Sequence, residues 1–406
     1  MVHAPVRRIL MDKTGNGKSS AVGVVFEHDG KTHSVNAIEE VILSAGALQS
    51  PHLLELSGIG KKDVLDKFNI PIKIDLPSVG ENVQEHMLLG MSWELKDDVQ
   101  WDTFDMLKEP TFAAKQLELH ATGSGLFTSG IVGFGFTTLD KVTPRATEIY
   151  QAMKDKIARM DPKTSPPGLK EQYEVEIERF EPGKGSPGCE FISLPSFMSG
   201  PSKLSDRTLW GFRQLNSVYH YKIPPLMADD TSQSSSRRIT LSRAVLSSVE
   251  FSTHVKEMFT NEFSKHTASE DPAKDPNYDP HYFEQSIDLD VHTEMAKFAR
   301  EMANIAPMKD MISKEVNPGP EVQTDEQLRE WLKATVCSTW HTAGSCSMLP
   351  LEKGGVVDSN LKVYGTNNLR VVDLSIVPLH IGTHPQATVY AIAEQAADII
   401  KGKFSA

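Results

Sequence analysis

The sequence predicts a mixed α/β fold, and three observations lead to that prediction. Residues 1–45 contain short apolar segments separated by turn residues, a pattern typical of strands. After Gly46 the apolar period changes from two to about 3.6, which indicates a helix. The C-terminal part alternates strand-like and loop-like stretches and finishes in an alanine-rich amphipathic segment, Thr388–Ile400. Together these patterns are those of a globular protein that mixes strands and helices.

The first elements are predicted to be strands. The dipeptide Asp29-Gly30 separates two of them, and its backbone readily adopts the positive φ angles of a tight hairpin turn. The predicted strands are Val6–Leu10, Ala21–Glu27, His33–Ala37 and Glu40–Ser44.

Helical patterns come next. The leucine spacing after Gly46, with Pro51 in the first turn, predicts a helix that ends at Ser57–Gly60. A short helix over Lys61–Phe68 and an extended segment over Ile70–Leu76 follow.

The middle of the chain is less regular. Residues 140–188 are charged and rich in proline, which predicts an exposed connection. Alternating patterns over Phe191–Met198 and Leu209–Leu226 predict strands of an antiparallel sheet.

Three elements are predicted between this region and the final helix. Asp288–Ile305 and Asp325–Val336 have helical periodicity, and Thr324 with Gln327 forms a capping box at the start of the second helix. Leu369–Val372 is a compact apolar strand.

Composition and charge exclude several functional classes. The chain has 406 residues, of which 39% are hydrophobic and 24% charged, and its net charge is −12. This charge argues against nucleic-acid binding, because a nucleic-acid-binding protein needs a cationic face. No apolar run is long enough to predict a membrane span. The histidines lack HExxH spacing, so no metal site is predicted, and no GxSxG turn indicates a serine hydrolase.

Segment Gly46–Gly60 is a candidate binding element. A buried strand that ends in a glycine turn and continues as a helix can hold an anion at its free amides. The same pattern fits an ordinary strand–turn–helix unit packed by leucines.

Two histidines are candidate functional residues. His341 stands beside Trp340, where it is either a packed residue or an acid–base group. His384 lies between the strand that ends near Asp373 and the last helix, where it either contacts a ligand or neighbours the helix cap.

Taken together in their order along the chain, the segments that contain Gly46–Gly60, His341 and His384 resemble the glucose–methanol–choline (GMC) oxidoreductases. These are flavoenzymes that oxidise alcohols with FAD. Gly46–Gly60 matches the family's second signature at every defined position. Val79–His86 resembles the family's G-E-N-L-Q-D-H and departs from it mildly at two positions, one of them Glu85. His341–Met348 resembles H-x-x-G-T-x-x-M, with Ser345 keeping the hydroxyl of the threonine.

The resemblance implies a role for each candidate residue. His341 falls on the family's catalytic histidine, which is expected to take the substrate hydroxyl proton while a hydride leaves for the flavin. His384 falls on the second active-site position, expected to hydrogen-bond the same alcohol oxygen. The backbone of Val6 is expected to contact the adenine. Residues expected to line the flavin and ribityl chain are Trp340, Asp373, Leu374, Pro385 and Gln386.

One departure from the family concerns the cofactor. The family begins with a strand, a GxGxxG turn and a helix that bind the ADP part of FAD, and nothing in this sequence fits that fingerprint. The resemblance therefore implies an incomplete Rossmann-like FAD-binding domain and an interleaved substrate domain built on an antiparallel sheet covered by helices. Residues 1–90 and 326–406 are assigned to the FAD-binding domain and residues 91–325 mostly to the substrate-binding domain. Residues 244–269 also depart from the family pattern, as a true insertion or a faulty segment junction.

These observations predict an FAD-dependent oxidoreductase that acts on a primary or secondary alcohol, with an electron acceptor that the sequence does not identify. Two alternatives stay open: a non-redox lyase or cyclase on the same fold, and an inactive fragment unable to hold FAD. We expect weak or no FAD retention by these residues alone, because no loop for the phosphates is found.

Overall fold

A computed structural model of the chain describes residues 2–15, 17–99, 102–129, 133–184, 187–193, 245–246, 252–253, 264–279, 282–283 and 286–403. The described helices are α1 Gly46–Leu56, α2 Lys62–Lys67, α3 Pro110–Ala121, α4 Leu139–Val142, α5 Ala146–Ala158, α6 Leu169–Ile177, α7 Ser286–Ala303, α8 Met308–Met311, α9 Asp325–Thr335 and α10 Gln386–Ile400. The described strands are β1 Val6–Lys13, β2 Ser19–His28, β3 Lys31–Asn36, β4 Val41–Leu43, β5 Ile59–Gly60, β6 Ile74–Asp75, β7 Met87–Leu88, β8 Ser92–Leu95, β9 Gly133–Thr137, β10 Cys189–Ser193, β11 Val245–Leu246, β12 Ser252–Thr253, β13 Ser264–His266, β14 Asn277–Asp279, β15 Ile312–Asn317, β16 Cys337–Ser338 and β17 Leu369–Val371.

The N-terminal and C-terminal segments share one hydrophobic core. Strands β1, β2 and β3 form an antiparallel sheet, and β4 pairs in parallel with β17. Leu54 of α1 and Cys346 are completely buried in this core, together with Val371 of β17. Because β4 pairs with β17 in parallel, both strands end at the same edge. The segment that begins at Gly46 follows β4, and the segment that contains Asp373 and His384 follows β17.

A second core lies in the middle of the chain. Strand β10 pairs antiparallel with β9 and β12, and β8 pairs antiparallel with β11 and β15. Met153 of α5, Tyr173 of α6 and Met295 of α7 are completely buried beside these sheets. This arrangement confirms the mixed α/β fold with antiparallel sheets and helices. The assignment of residues 1–90, 91–325 and 326–406 to domains remains a prediction.

Several local predictions are confirmed. Asp29 and Gly30 have φ angles of 49° and 70°, as the hairpin between β2 and β3 requires. The hydroxyl of Thr324 accepts from Gln327 N at the start of α9, and the Gln327 side chain accepts from Thr324 N. Both halves of the capping box are therefore formed.

The prediction of an exposed connection over residues 140–188 was wrong. This stretch forms α4, α5 and α6, and α5 buries Ile149, Met153 and Ile157 in the central core. The prolines lie between the helices and so do not break them, while the apolar stripe of α5 has the spacing of one buried helix face.

The position assigned to Pro51 was also wrong. Helix α1 begins at Gly46, so Pro51 lies inside the helix and not in its first turn. A proline has no N–H, and the carbonyl of Ala47, four residues earlier, therefore loses its usual helical donor. Ser345 Oγ donates to this carbonyl at 2.6 Å. The second signature and the His341 motif are joined at this point.

Some predictions lie outside the described residues. Strand β10 covers the beginning of the predicted strand Phe191–Met198, whereas its end and all of Leu209–Leu226 are not described. Within the described ranges, no helix has the length and apolar character needed to cross a bilayer.

Candidate active site

The two motifs that contain His86 and His341 lie side by side. Gln84 and Ala343 exchange backbone hydrogen bonds of 2.9 and 2.8 Å. Gly344 has a φ of +85°, and a Cβ at this position would lie 2.2 Å from the carbonyl oxygen of Asn82. Only glycine combines this backbone angle with such a close approach, which explains the glycine of the His341 motif.

The buried carboxylate of Glu85 organises the loop around His341. Its Oε1 accepts from the backbone N–H groups of His86 and His341 at 2.9 and 2.8 Å. Its Oε2 accepts from the hydroxyls of Ser338 and Thr342, both at 2.7 Å. Burial raises the pKa of Glu85, and these hydrogen bonds oppose that shift. One side chain thus fixes the backbone of two histidines.

Trp340 has a strained backbone next to His341. Its φ is +60°, a value that bulky residues rarely adopt. Trp340 N donates to Ser338 Oγ at 2.8 Å, and the next amide donates to Glu85 as described above. These two hydrogen bonds hold the turn that precedes His341.

His341 and His384 lie next to each other, as the sequence predicted for a common site. Their ring centroids are 5.4 Å apart, with an edge-to-face orientation. The Nδ1 of His341 is 2.9 Å from the Nδ1 of His86, and the Nε2 of His380 donates to the carbonyl of His341 at 2.6 Å. Burial, with smaller contributions from the charges of His384 and His380, lowers the pKa of His341 to about 4. The imidazole of His341 is therefore neutral at physiological pH.

His384 is anchored to the central sheet. Its Nε2 lies 2.7 Å from Oε1 of Glu190, a residue of β10 whose side chain is 3% exposed. Phe134 of β9, paired with β10, meets the His384 ring edge-on at 5.0 Å between centroids. Burial raises the pKa of Glu190, and the hydrogen bond with His384 opposes this shift. This contact joins the C-terminal loop to the antiparallel sheet.

Asp373 and Leu374, both expected to line the flavin, are buried in the structure. Asp373 Oδ2 accepts from Gly46 N at 2.9 Å and from Ser50 Oγ at 2.5 Å, and its Oδ1 accepts from Ser375 N at 2.8 Å. Leu374 packs into a small apolar cluster with Ala343. The carboxylate of Asp373 therefore attaches the end of β17 to the start of α1.

The other residues assigned to the cofactor lie nearer the surface. Val6 begins β1, and 61% of Trp340 is exposed beside His341. Pro385 precedes α10 and Gln386 is its first residue, and no described side chain caps this helix start. An exposed indole and uncapped amides beside a histidine pair fit a flat, polar-edged ring such as a flavin. Trp340 directly precedes His341 in the chain, and Gln386 follows His384 by two residues. Val6 lies in the sheet of β1, β2 and β3.

Five neighbours of the histidine pair were not identified as site residues from the sequence, and one of them is His380, which donates to the carbonyl of His341. Glu85 and His86 belong to the motif Val79–His86. This motif was the sequence signal for both residues, although it indicated no role for either. Glu190 lies in β10 and Phe134 in β9. The alternating sequence of these strands does not indicate that either residue contacts His384. Among the described residues, no group of histidine, cysteine, aspartate and glutamate side chains could hold a metal ion.

This chain belongs to the GMC oxidoreductase family. The sequence profile of the family's N-terminal domain matches residues 1–88, and that of its C-terminal domain matches residues 265–393. The two matches together cover more than half of the chain.

Individual relatives are similar over nearly the whole chain. The GMC oxidoreductase family protein Mala s 12 of Malassezia sympodialis is 31% identical over 98% of this chain and 55% of its own length. An FAD-dependent oxidoreductase from Chaetomium thermophilum has a TM-score of 0.77 and 26% identity, over 99% of this chain and 61% of its own. A fungal aryl-alcohol oxidase has a TM-score of 0.73 and 26% identity, over 98% of this chain and 60% of its own. The chain thus spans little more than half the length of the relatives it matches.

Proposed function

We propose that the protein is an FAD-dependent oxidoreductase acting on the CH–OH group of an alcohol, with His341 as the base. The observation that carries the proposal is the pair of imidazoles, His341 and His384, with ring centroids 5.4 Å apart in a site organised by buried carboxylates. Family membership and the FAD-dependent oxidoreductase with 26% identity support the choice of cofactor.

His341 is suited to accept a proton. Its low pKa keeps the ring neutral, so a ring nitrogen can accept the hydroxyl proton of the substrate. The O–H bond breaks, the proton moves to the imidazole, and the electron pair stays on the alcohol oxygen. Loss of a hydride from the adjacent carbon then gives the carbonyl product. Bound FAD would supply the acceptor for that hydride.

His384 would stabilise the charge that develops on the alcohol oxygen. The carboxylate of Glu190 accepts from Nε2–H of His384, which leaves Nδ1 for the substrate. A hydrogen on Nδ1 would donate to that oxygen, and the buried Glu190 carboxylate would balance the resulting positive charge of the ring.

The exposed residues around the histidines would hold the flavin. Trp340 offers an aromatic face beside His341, and the amides at Gln386 offer donors to a ring edge. Phe134, 49% exposed, stands beside His384 and forms an apolar wall for the organic part of the substrate. This wall favours aromatic alcohols over small aliphatic ones, since an aromatic ring packs well against it.

The experiment is anaerobic reduction of the flavin by alcohols, with FAD added in excess to the purified chain. Benzylic alcohols are expected to bleach the flavin absorbance faster than short aliphatic alcohols. His341→Ala should slow bleaching at least about a hundredfold, the usual contribution of a positioned base. Unchanged bleaching in His341→Ala would falsify the assignment of the base.

The two alternatives predict other outcomes of this experiment. A lyase or cyclase would convert its substrate without bleaching the flavin. A fragment unable to hold FAD would show neither bleaching nor any change in flavin fluorescence on mixing.

A further inference from the structure

His86 hydrogen-bonds through both nitrogens of its ring. Its Nδ1 lies 2.9 Å from Nδ1 of His341, and its Nε2 lies 3.1 Å from the carbonyl oxygen of Ile381. The residue is 1% exposed, and its ring lies over that of His380 with centroids 3.9 Å apart. Solvent therefore cannot exchange freely with either nitrogen.

The partners determine which nitrogens carry a proton. A carbonyl oxygen only accepts hydrogen bonds, so Nε2 of His86 carries the hydrogen that points to Ile381. In a neutral His86 ring, Nδ1 is then bare and can only accept. The donor in the contact between the two Nδ1 atoms is consequently His341. With its hydrogen on Nδ1, the neutral His341 ring has a bare Nε2.

We propose that His86 is a positioning residue that holds His341 in the Nδ1–H tautomer and so presents Nε2 as the proton acceptor. The proposal rests on the function proposed above, since it specifies which atom of the base accepts the proton. Nothing in the sequence motif assigns this task to His86.

The backbone supports the contact between the two rings. Both His86 N and His341 N donate to the same oxygen, Oε1 of Glu85. The two histidines are thus held at a fixed separation independently of their side chains. A shared anchor of this kind is expected where the relative position of two rings matters.

The contact also defines where the proton stays after transfer. When Nε2 of His341 takes the hydroxyl proton, the positive ring keeps donating from Nδ1–H to His86. His86 cannot pass the proton further through Nε2, because that atom already donates to the Ile381 carbonyl. The charge is therefore stored on the histidine pair. His86 plays the part that a carboxylate plays in hydrolase triads, but without a negative charge.

The tautomers can be measured without flavin or substrate. Long-range proton–nitrogen correlation spectra of the chain labelled with ¹⁵N-histidine distinguish protonated from bare ring nitrogens. We expect hydrogen on Nδ1 of His341 and on Nε2 of His86, with signals assigned by their loss in His341→Gln and His86→Asn. His292 is an internal reference, since its Nδ1 donates to the carbonyl of Asp288 at 2.8 Å. Hydrogen on Nε2 of His341 in the unsubstituted protein would overturn the proposal.

A matched pair of variants separates positioning from packing. His86→Asn can place its amide oxygen where Nδ1 was and keep an acceptor for His341. His86→Phe keeps a ring over His380 but has no acceptor. We expect His341 to keep the Nδ1–H tautomer in the first variant and to lose this preference in the second. Equal tautomer populations in the two variants would contradict the proposal.

The same pair can be followed by flavin reduction with added FAD. His86→Phe is expected to slow reduction by about tenfold, the value of one hydrogen bond to a charged group, and His86→Asn to recover most of that loss. Equal slowing in both variants would leave only a packing role and reject the proposal. If His341→Ala reduces flavin normally, the proposed base is wrong, whereas the tautomers measured by NMR still decide the role of His86.

Discussion

At the scale of single residues, a proline and a serine distant in sequence form a complementary pair. Pro51 deprives the Ala47 carbonyl of its helical donor, and the completely buried Ser345 hydroxyl supplies one. A buried carbonyl without a donor costs free energy, so this contact stabilises the attachment of the His341 motif to α1.

A double-mutant cycle tests this pairing. Ser345→Ala is expected to lower the free energy of unfolding by about 1–3 kcal/mol, because it leaves the Ala47 carbonyl unsatisfied. In a Pro51→Ala background the new amide of residue 51 can donate to that carbonyl, so the cost of Ser345→Ala should shrink by about 1 kcal/mol. Urea denaturation of the four proteins gives the values. Additive costs would contradict the pairing.

The residue scale also shows what the sequence can predict. His341 and His384 were singled out from motifs, and the structure brings them together. Glu190 could not be predicted as the partner of His384, because their contact spans 194 positions and depends on the antiparallel pairing of β9 with β10. Long-range packing leaves no periodic signal in a single sequence.

At the scale of elements, a histidine attaches the hairpin of β13 and β14 to α1. His266 Nδ1 is 2.6 Å from Oε1 of Glu55, and its Nε2 is 3.3 Å from Oε1 of Glu81. Burial alone would lower the pKa of His266, but hydrogen bonds to Glu55 and Glu81 and their charges outweigh it and raise the pKa to about 9. Glu55 is completely buried, and it also accepts from Thr267 N at 2.6 Å.

This ion pair predicts a loss of stability in alkali. The folded state holds the His266 proton more tightly than the unfolded chain, whose histidine pKa is about 6.5. The contribution is therefore complete below pH about 6.5 and is lost as the pH rises towards 9. The difference in unfolding free energy between the natural protein and His266→Gln should shrink over that range. The exposed His120→Gln variant is the control, and a pH-independent difference would refute the ion pair.

Helices and strands were predicted unevenly, for a physical reason. The capped helix α9 and the hairpin at Asp29 and Gly30 carry local signals, and both were predicted correctly. The helices within residues 140–188 were missed because prolines between them were taken to interrupt them. Proline is tolerated at the start of a helix and disrupts only its interior, and the buried face of α5 shows that this stretch is helical.

At the scale of the whole molecule, the described fold contains the histidine side of the flavin site proposed above. The sequence contains no glycine-rich turn of the kind that grips the ADP half of FAD. Apart from the adenine contact expected of Val6, the parts expected to contact the cofactor are therefore those beside the isoalloxazine ring, such as Trp340 and Gln386.

Because the sequence contains no glycine-rich turn for the ADP half, we predict that the chain binds flavins weakly and does not discriminate between them. FAD and FMN should bind the chain with similar affinities, because the ADP half of FAD meets no dedicated phosphate loop. Equilibrium dialysis against each flavin measures this, and riboflavin serves as the control without any phosphate. Co-purification of tightly bound FAD, or a strong preference for FAD over FMN, would contradict the prediction.

The shared anchor at Glu85 has a consequence for how such an enzyme could diversify. Since one carboxylate oxygen fixes the backbone of His86 and His341, a substitution on this side shifts both rings at once. Within the described residues, the opposite wall, formed by β9 and β10, contacts His384 through the side chains of Glu190 and Phe134. New substrates are therefore expected to be accommodated by substitutions in β9, residues 133–137, while Glu190 and the proton-accepting side stay unchanged through evolution.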